Sequence, residues 1–198
     1  MMHRSRAAGL GLGLVAALSI LHAPFKTQAI QLADGTVYFE HAPRLLDAAT
    51  SSRTPSIAGA TYYFTVELPE NAGEPLGKLT LTSPNSWVGP QRIRFRTDAT
   101  VAFEGTWRDR GDDISLRDVT VDEETRTIEV AFDPPVEPGT TVTVGLRPRR
   151  NPQAGGTYLY RVLGFPAGEL AHGQPLGTAR IQINDPSDVF ILNYRWWD

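Results

Sequence analysis

Residues 60–82, ATYYFTVELPENAGEPLGKLTLT, constrain the fold more than any other stretch of the chain. In the first arm Tyr62, Phe64, Val66 and Leu68 alternate with Tyr63, Thr65 and Glu67. Period-two alternation of aromatic and β-branched residues marks a strand that buries one face. The second arm repeats it in shorter form, with Leu79 and Leu81 set against Lys78, Thr80 and Thr82. Between the arms, PENAGEP at 69–75 cannot continue a ladder, because proline lacks a backbone donor and fixes φ. The pattern predicts two strands joined by a loop and paired at the centre of one antiparallel sheet.

Short alternating runs recur along the chain at 36–39, 92–96 (RIRFR), 101–104, 140–146, 157–165 and 177–183. Residues 119–122 and 127–132 flank EETR as a tight hairpin. Ile93, Phe95, Ile128, Val130, Phe132, Val142, Val144 and Leu146 join the first arm's apolar face as the expected core. Residues 48–58 read as a polar loop, 82–91 as a loop carrying Trp87, DRGDD at 109–113 as a charged turn, and DPPVEPG at 133–139 as a break in the ladder. After residue 29 no run of ten residues combines helical periodicity with capping signals. Eight to ten short strands, spaced by turns about every ten residues, predict an all-β chain: a single immunoglobulin-like antiparallel β-sandwich over residues 30–183.

The opening is of a different kind. Arg4 and Arg6 precede an uncharged run of small and aliphatic residues at 7–21, and Thr27-Gln28-Ala29 offers small residues where a signal peptidase inspects the chain. That order describes a secretory signal peptide over residues 1–29. The apolar run is shorter than the roughly 20 residues needed to span a bilayer, so cleavage is expected, with a mature chain beginning at Ile30. The leader carries three of the 19 bases and none of the 22 acids, leaving 16 against 22 and a mature net charge of −6. Such a balance opposes a general role in binding nucleic acid or anionic lipid surfaces. There is no cysteine, hence no disulfide, no thiolate metal site, no catalytic thiol and no lipid-bearing cysteine.

The segments DGTVYFEHAPRLLDA, TYYFTVELPENAGEPLGKLTL, RIRF, AFEG, DEETRTIEVAFDPPVEPGTTVTVGLRPRRNPQAGGTYLY and FPAGELAHGQPLGTARIQI resemble a domain family of unknown function found in exported cyanobacterial proteins. The likeness covers nearly all of 30–183. It implies a secreted or periplasmic source and a compact domain, and it brings no catalytic or binding residues with it.

Chemistry-bearing constellations are sparse. His41 and His172 alone survive cleavage, and no Gly-x-Ser-x-Gly or Ser-x-x-Lys signature is present. A glycan-acting enzyme would need two carboxylates across one cleft, which makes it one alternative reading. A periplasmic copper-type metal carrier is another, with Glu40 or Glu169 beside the histidines, but the mature chain lacks the methionines that favour Cu(I). Asp109, Asp112 and Asp113 offer calcium oxygen ligands or simply a solvated turn. No cofactor is expected.

Two basic groups stand out in an acidic chain: Arg92, Arg94 and Arg96 on one strand face, and Arg147, Arg149 and Arg150 before Asn151-Pro152. Guanidinium forks match phosphate and carboxylate groups, so these six are candidate contacts for an anionic envelope glycan. Pairing with Asp and Glu on neighbouring strands is the plainer alternative. Residues 184–198 form a tail with Phe190, Tyr194, Trp196 and Trp197, the composition of a binding hot spot; these are candidate contacts for an envelope protein, and packing as an edge strand on their own sandwich is the alternative. The expected function is that of an exported, non-catalytic binding or structural module of the cell envelope.

Overall fold

The computed structural model describes residues 30–31, 35–84 and 93–184, and its regular structure is all β. Twelve strands follow in order: β1 (Ile30–Gln31), β2 (Val37–Tyr38), β3 (Arg44–Thr50), β4 (Tyr62–Glu67), β5 (Leu76–Thr82), β6 (Phe95–Thr106), β7 (Asp109–Asp113), β8 (Leu116–Asp122), β9 (Thr127–Val136), β10 (Thr141–Pro148), β11 (Gly156–Pro166) and β12 (Gln174–Ile183). β1 and β2 pair with each other, and the other ten form two five-stranded antiparallel sheets of order β3-β4-β10-β6-β7 and β12-β11-β5-β9-β8. Immunoglobulin constant-type domains place strands A, B, E and D in one sheet and C, F and G in the other. The orders β3-β4-β10-β6 and β12-β11-β5 reproduce that scheme, with β7, β8 and β9 inserted between the D and E equivalents. The fold is therefore an immunoglobulin-like β-sandwich, as expected.

Apolar residues at alternate positions of both sheets meet in one core. Tyr62, Phe64, Val66 and Leu68 of the first sheet face Leu79, Leu81, Val130, Val162 and Ile181 of the second, and all are buried. Ile128, Phe132, Val142, Val144 and Leu146 are buried as expected, while Ile93 and Phe95 are half-buried against the core. Buried side chains of this size each contribute about 1.5–3 kcal/mol. Near the start of β11, the strand-F equivalent, the Tyr158 hydroxyl donates back to the carbonyl of Ala154 (2.8 Å), the arrangement of an immunoglobulin tyrosine corner. Two residues on, where antibody domains place the second cysteine of the inter-sheet disulfide, stands Tyr160. Its ring meets Phe64 of the opposite sheet edge-on at 5.5 Å, so an aromatic pair occupies the place of the cross-link.

Several local expectations are corrected. β4 and β5 do not pair: β4 lies between β3 and β10, and β5 between β11 and β9. The proline-bounded 69–75 segment carries the chain from one sheet to the other, which alternation in the two arms cannot reveal. Part of the expected loop at 48–58 belongs to edge strand β3, whose register shift between Leu45 and Asp47 blurs its alternation. The run at 101–104 and the last two residues of the 92–96 run lie in one twelve-residue strand, β6. β9 continues through part of the expected break to Val136, after a shift in its pairing with β5.

The DRGDD turn is strand β7 at a sheet edge. Gly105, with φ of +83°, bends the β6–β7 hairpin so tightly that an added Cβ would lie 2.3 Å from the carbonyl oxygen of Asp109. The bend lays Trp107 on Tyr63 at 5.9 Å and 13°. Arg110 lies 4.5 Å from the Phe103 ring centre and pairs with Asp113. Charge on an exposed edge strand also discourages pairing with other chains.

Candidate functional site

β5 stops at Thr82, opposite Arg161, whereas β11 begins at Gly156. Residues 156–160 therefore keep β12 on one side and run past the end of β5 on the other. The gap, bounded across the sheet by the β8–β9 turn, leads between the two sheets into a partly enclosed cleft of about 280 Å³. Its buried and half-buried walls are Ser83, Ile93, Phe95, Ile128, Tyr158 and Tyr160, and its exposed border includes Arg94, Arg149, Val121, Asp122 and Glu123, with Arg126 half-buried. A shallower depression of about 450 Å³ continues over Ser56, Arg150, Asn151, Pro152 and Gln153 and shares Ile93, Arg94 and Arg149 with the cleft.

The antiparallel pairing of β6 with β10 brings the two arginine groups together. Arg96 stands opposite Arg147, and the Arg149 amide donates to the Arg94 carbonyl at 2.8 Å. Arg94, Arg96, Arg147, Arg149 and Arg150 all have exposed side chains at this end of the sandwich. Their partners differ. Arg96 Nη2 lies 3.1 Å from Asp98 Oδ2. That hydrogen bond and charge hold the Asp98 carboxyl below the usual carboxylate range, with Arg149 adding a smaller pull. Arg147 Nε reaches Thr61 Oγ1 at 3.5 Å. Among the described residues no carboxylate pairs with Arg94, Arg149 or Arg150. Pairing with neighbouring carboxylates thus describes Arg96 and, among the described residues, does not describe Arg94, Arg149 or Arg150.

Hydrogen bonds fix the surrounding framework. Asn151 is buried, and its side-chain amide donates to the carbonyls of Ser52 (3.0 Å) and Thr54 (2.9 Å) while its Oδ1 accepts from the Tyr62 hydroxyl (2.9 Å). This ties the loop after β3 to the arginine-bearing end of β10. Deeper in the cleft wall, the Tyr160 hydroxyl is buried with no hydrogen-bond partner among the described residues. Burial first, then the nearby Tyr62 and Tyr158, raise its pKa well above the ordinary phenol value, so it remains an O–H donor.

Other candidates are not brought into this site. His41 Nδ1 lies 2.9 Å from the Asn71 carbonyl oxygen, and the His172 ring lies 4.6 Å from that of Tyr38. Among the described residues no three His, Cys, Asp or Glu side chains group as a metal site. Arg92, Trp87, Phe190, Tyr194, Trp196 and Trp197 lie outside the described residues, as does the 1–29 leader. Residue patterns alone did not single out Arg126, Tyr158 or Tyr160 for this site. The alternation of Tyr158 and Tyr160 in TYLYR was the available signal, since it places both rings on one face of a strand.

Fold and site together define an immunoglobulin-like β-sandwich with a basic cleft between its sheets. Within that class, the chain belongs to the family described as protein of unknown function (DUF2808), whose model matches residues 36–183. No curated protein matches the chain. Among solved structures, it is similar to the C-terminal domain of the Streptococcus pyogenes antigen I/II-family protein AspA, at 14% identity and a TM-score of 0.40. That match covers 69% of this chain and 46% of the other, so this chain spans less than half of that structure's length. The collagen-binding domain of a Staphylococcus aureus adhesin matches at 6% identity and a TM-score of 0.37, covering 69% of this chain and 97% of the other. The collagen-binding subdomain of the Enterococcus faecalis surface protein ACE matches at 9% and 0.39, covering 72% and 99%. At these identities and scores the likenesses say nothing about what this chain binds.

Proposed function

We propose that the protein is an exported, non-catalytic binding module of the cell envelope that holds anionic groups of an envelope glycan. The observation that carries this is the convergence of Arg94, Arg149 and Arg150, without carboxylate partners among the described residues. Three guanidiniums at one end without a carboxylate ion pair among the described residues make a basic patch on an acidic protein, suited to uronate or phosphate groups. Export rests on the leader at 1–29, and an intact mass beginning at Ile30 would support it. In the same reading Phe190, Tyr194, Trp196 and Trp197 contact an envelope protein.

The test uses polygalacturonate, a uronate polymer, beside neutral dextran. Binding of the uronate is expected to weaken at least tenfold in the triple variant Arg94→Ala, Arg149→Ala, Arg150→Ala, and to fall with salt as exposed charges are screened. Unchanged affinity in that variant, or equal binding of dextran, overturns the reading.

A further inference from the structure

We infer that the cleft takes an anionic amphiphile, seating an acyl or aryl group between the sheets and holding its carboxylate or phosphate at the mouth with Arg94 and Arg149. This rests on the anion-binding reading above and gives two of the same arginines a second class of ligand, seated in the cleft rather than along the surface. An engineered apolar cavity of about 150 Å³ takes one benzene, so about 280 Å³ accommodates two rings or a chain of similar bulk. Ile93, Phe95, Ile128 and Tyr158 give the cleft an apolar inner wall beneath a polar and charged border. A bare sugar there would lose water from hydroxyls that find few partners, whereas an apolar group loses nothing of the kind. Binding sites for small molecules commonly combine such walls with a few placed polar groups.

The charged groups that border the cleft lie at two places: Arg94 and Arg149 at one, and Asp122, Glu123 and Arg126 on the β8–β9 hairpin at the other. Asp122 turns its carboxylate onto its own hairpin turn, accepting from the amides of Glu124 (2.8 Å) and Thr125 (3.1 Å), and Glu123 stands beside it. The anion therefore belongs opposite, on the Arg94 and Arg149 side, away from both acids. Behind these side chains the Tyr160 hydroxyl is buried in the wall, without a hydrogen-bond partner among the described residues.

Calorimetric titration of the mature chain, residues 30–198, tests this with decanoate, decyl phosphate, decanol and acetate. Decanoate or decyl phosphate is expected to bind at least 100-fold more tightly than acetate, the stronger of the two identifying the headgroup. Arg94→Ala with Arg149→Ala, both exposed positions, is expected to weaken these anions at least tenfold and leave decanol unchanged. If neither amphiphile exceeds acetate, the amphiphile inference fails. Arginine-dependent polygalacturonate binding would then still uphold the anion reading. Decanol matching decanoate, with the arginine variant indifferent, overturns both.

Discussion

Three phenols near the cleft have hydroxyls with three different fates. Tyr62 donates to Asn151, Tyr158 to the Ala154 carbonyl, and Tyr160 to no described group. Burial raises the pKa of all three, so each is an O–H donor throughout the neutral range. The difference between them is what their removal leaves behind. Tyr62→Phe deprives the buried Asn151 Oδ1 of its donor, and an unsatisfied buried acceptor costs about 1–3 kcal/mol. Tyr160→Phe deletes a hydroxyl that costs stability where it stands, so denaturant melts are expected to show no loss, or a gain of up to about 1 kcal/mol. A loss above about 1 kcal/mol in Tyr160→Phe would show that this hydroxyl has a partner in solution.

At the scale of elements, the β8–β9 hairpin depends on Asp122. The Thr125 hydroxyl, then the amides of Thr125 and Glu124, hold its carboxyl below the ordinary range. A depressed folded pKa gives stability that is present above the unfolded value of about 3.9 and lost as pH falls through the folded one. Asp122→Asn is therefore expected to flatten that acid limb of the melting curve and leave its neutral plateau slightly lower, with an NMR titration of Asp122 below pH 3.9 as the direct check. This hairpin was legible because its alternating arms are joined by four polar residues, leaving a single antiparallel register. The relation of β4 to β5 was not, because alternation reports which face is buried and not which strand lies alongside. β7 was missed for a different reason: its residues are all exposed, and it is held by Gly105 and by arginine packing on Phe103, contacts that carry no period of two. The arginines of the candidate site were legible as residue types, but their convergence needed β6 to lie beside β10. The cleft needed more still, namely the early end of β5.

For the molecule as a whole, the question is what locks the sheets together without a disulfide. β4 and β11 are the B and F equivalents that a disulfide joins in antibody domains. Here Phe64 and Tyr160 meet across the interface, and the same Tyr160 ring contacts Phe95 at 6.4 Å beside the cleft. One aromatic cluster thus joins both sheets and supports the cleft wall. Burial of this kind is non-directional and spread over many contacts, so removing one ring should weaken both sheets together. Phe64→Ala is expected to cost about 3–5 kcal/mol, its lost transfer energy plus the cavity left behind, a large share of the 5–15 kcal/mol by which a typical domain is stable. Denaturant melts should remain a single transition, and the slowest-exchanging amides of β4 and β11 should lose protection by the same amount. If β11 kept its protection while β4 lost it, the two sheets would unfold separately, and the Phe64–Tyr160 contact would not be what couples them.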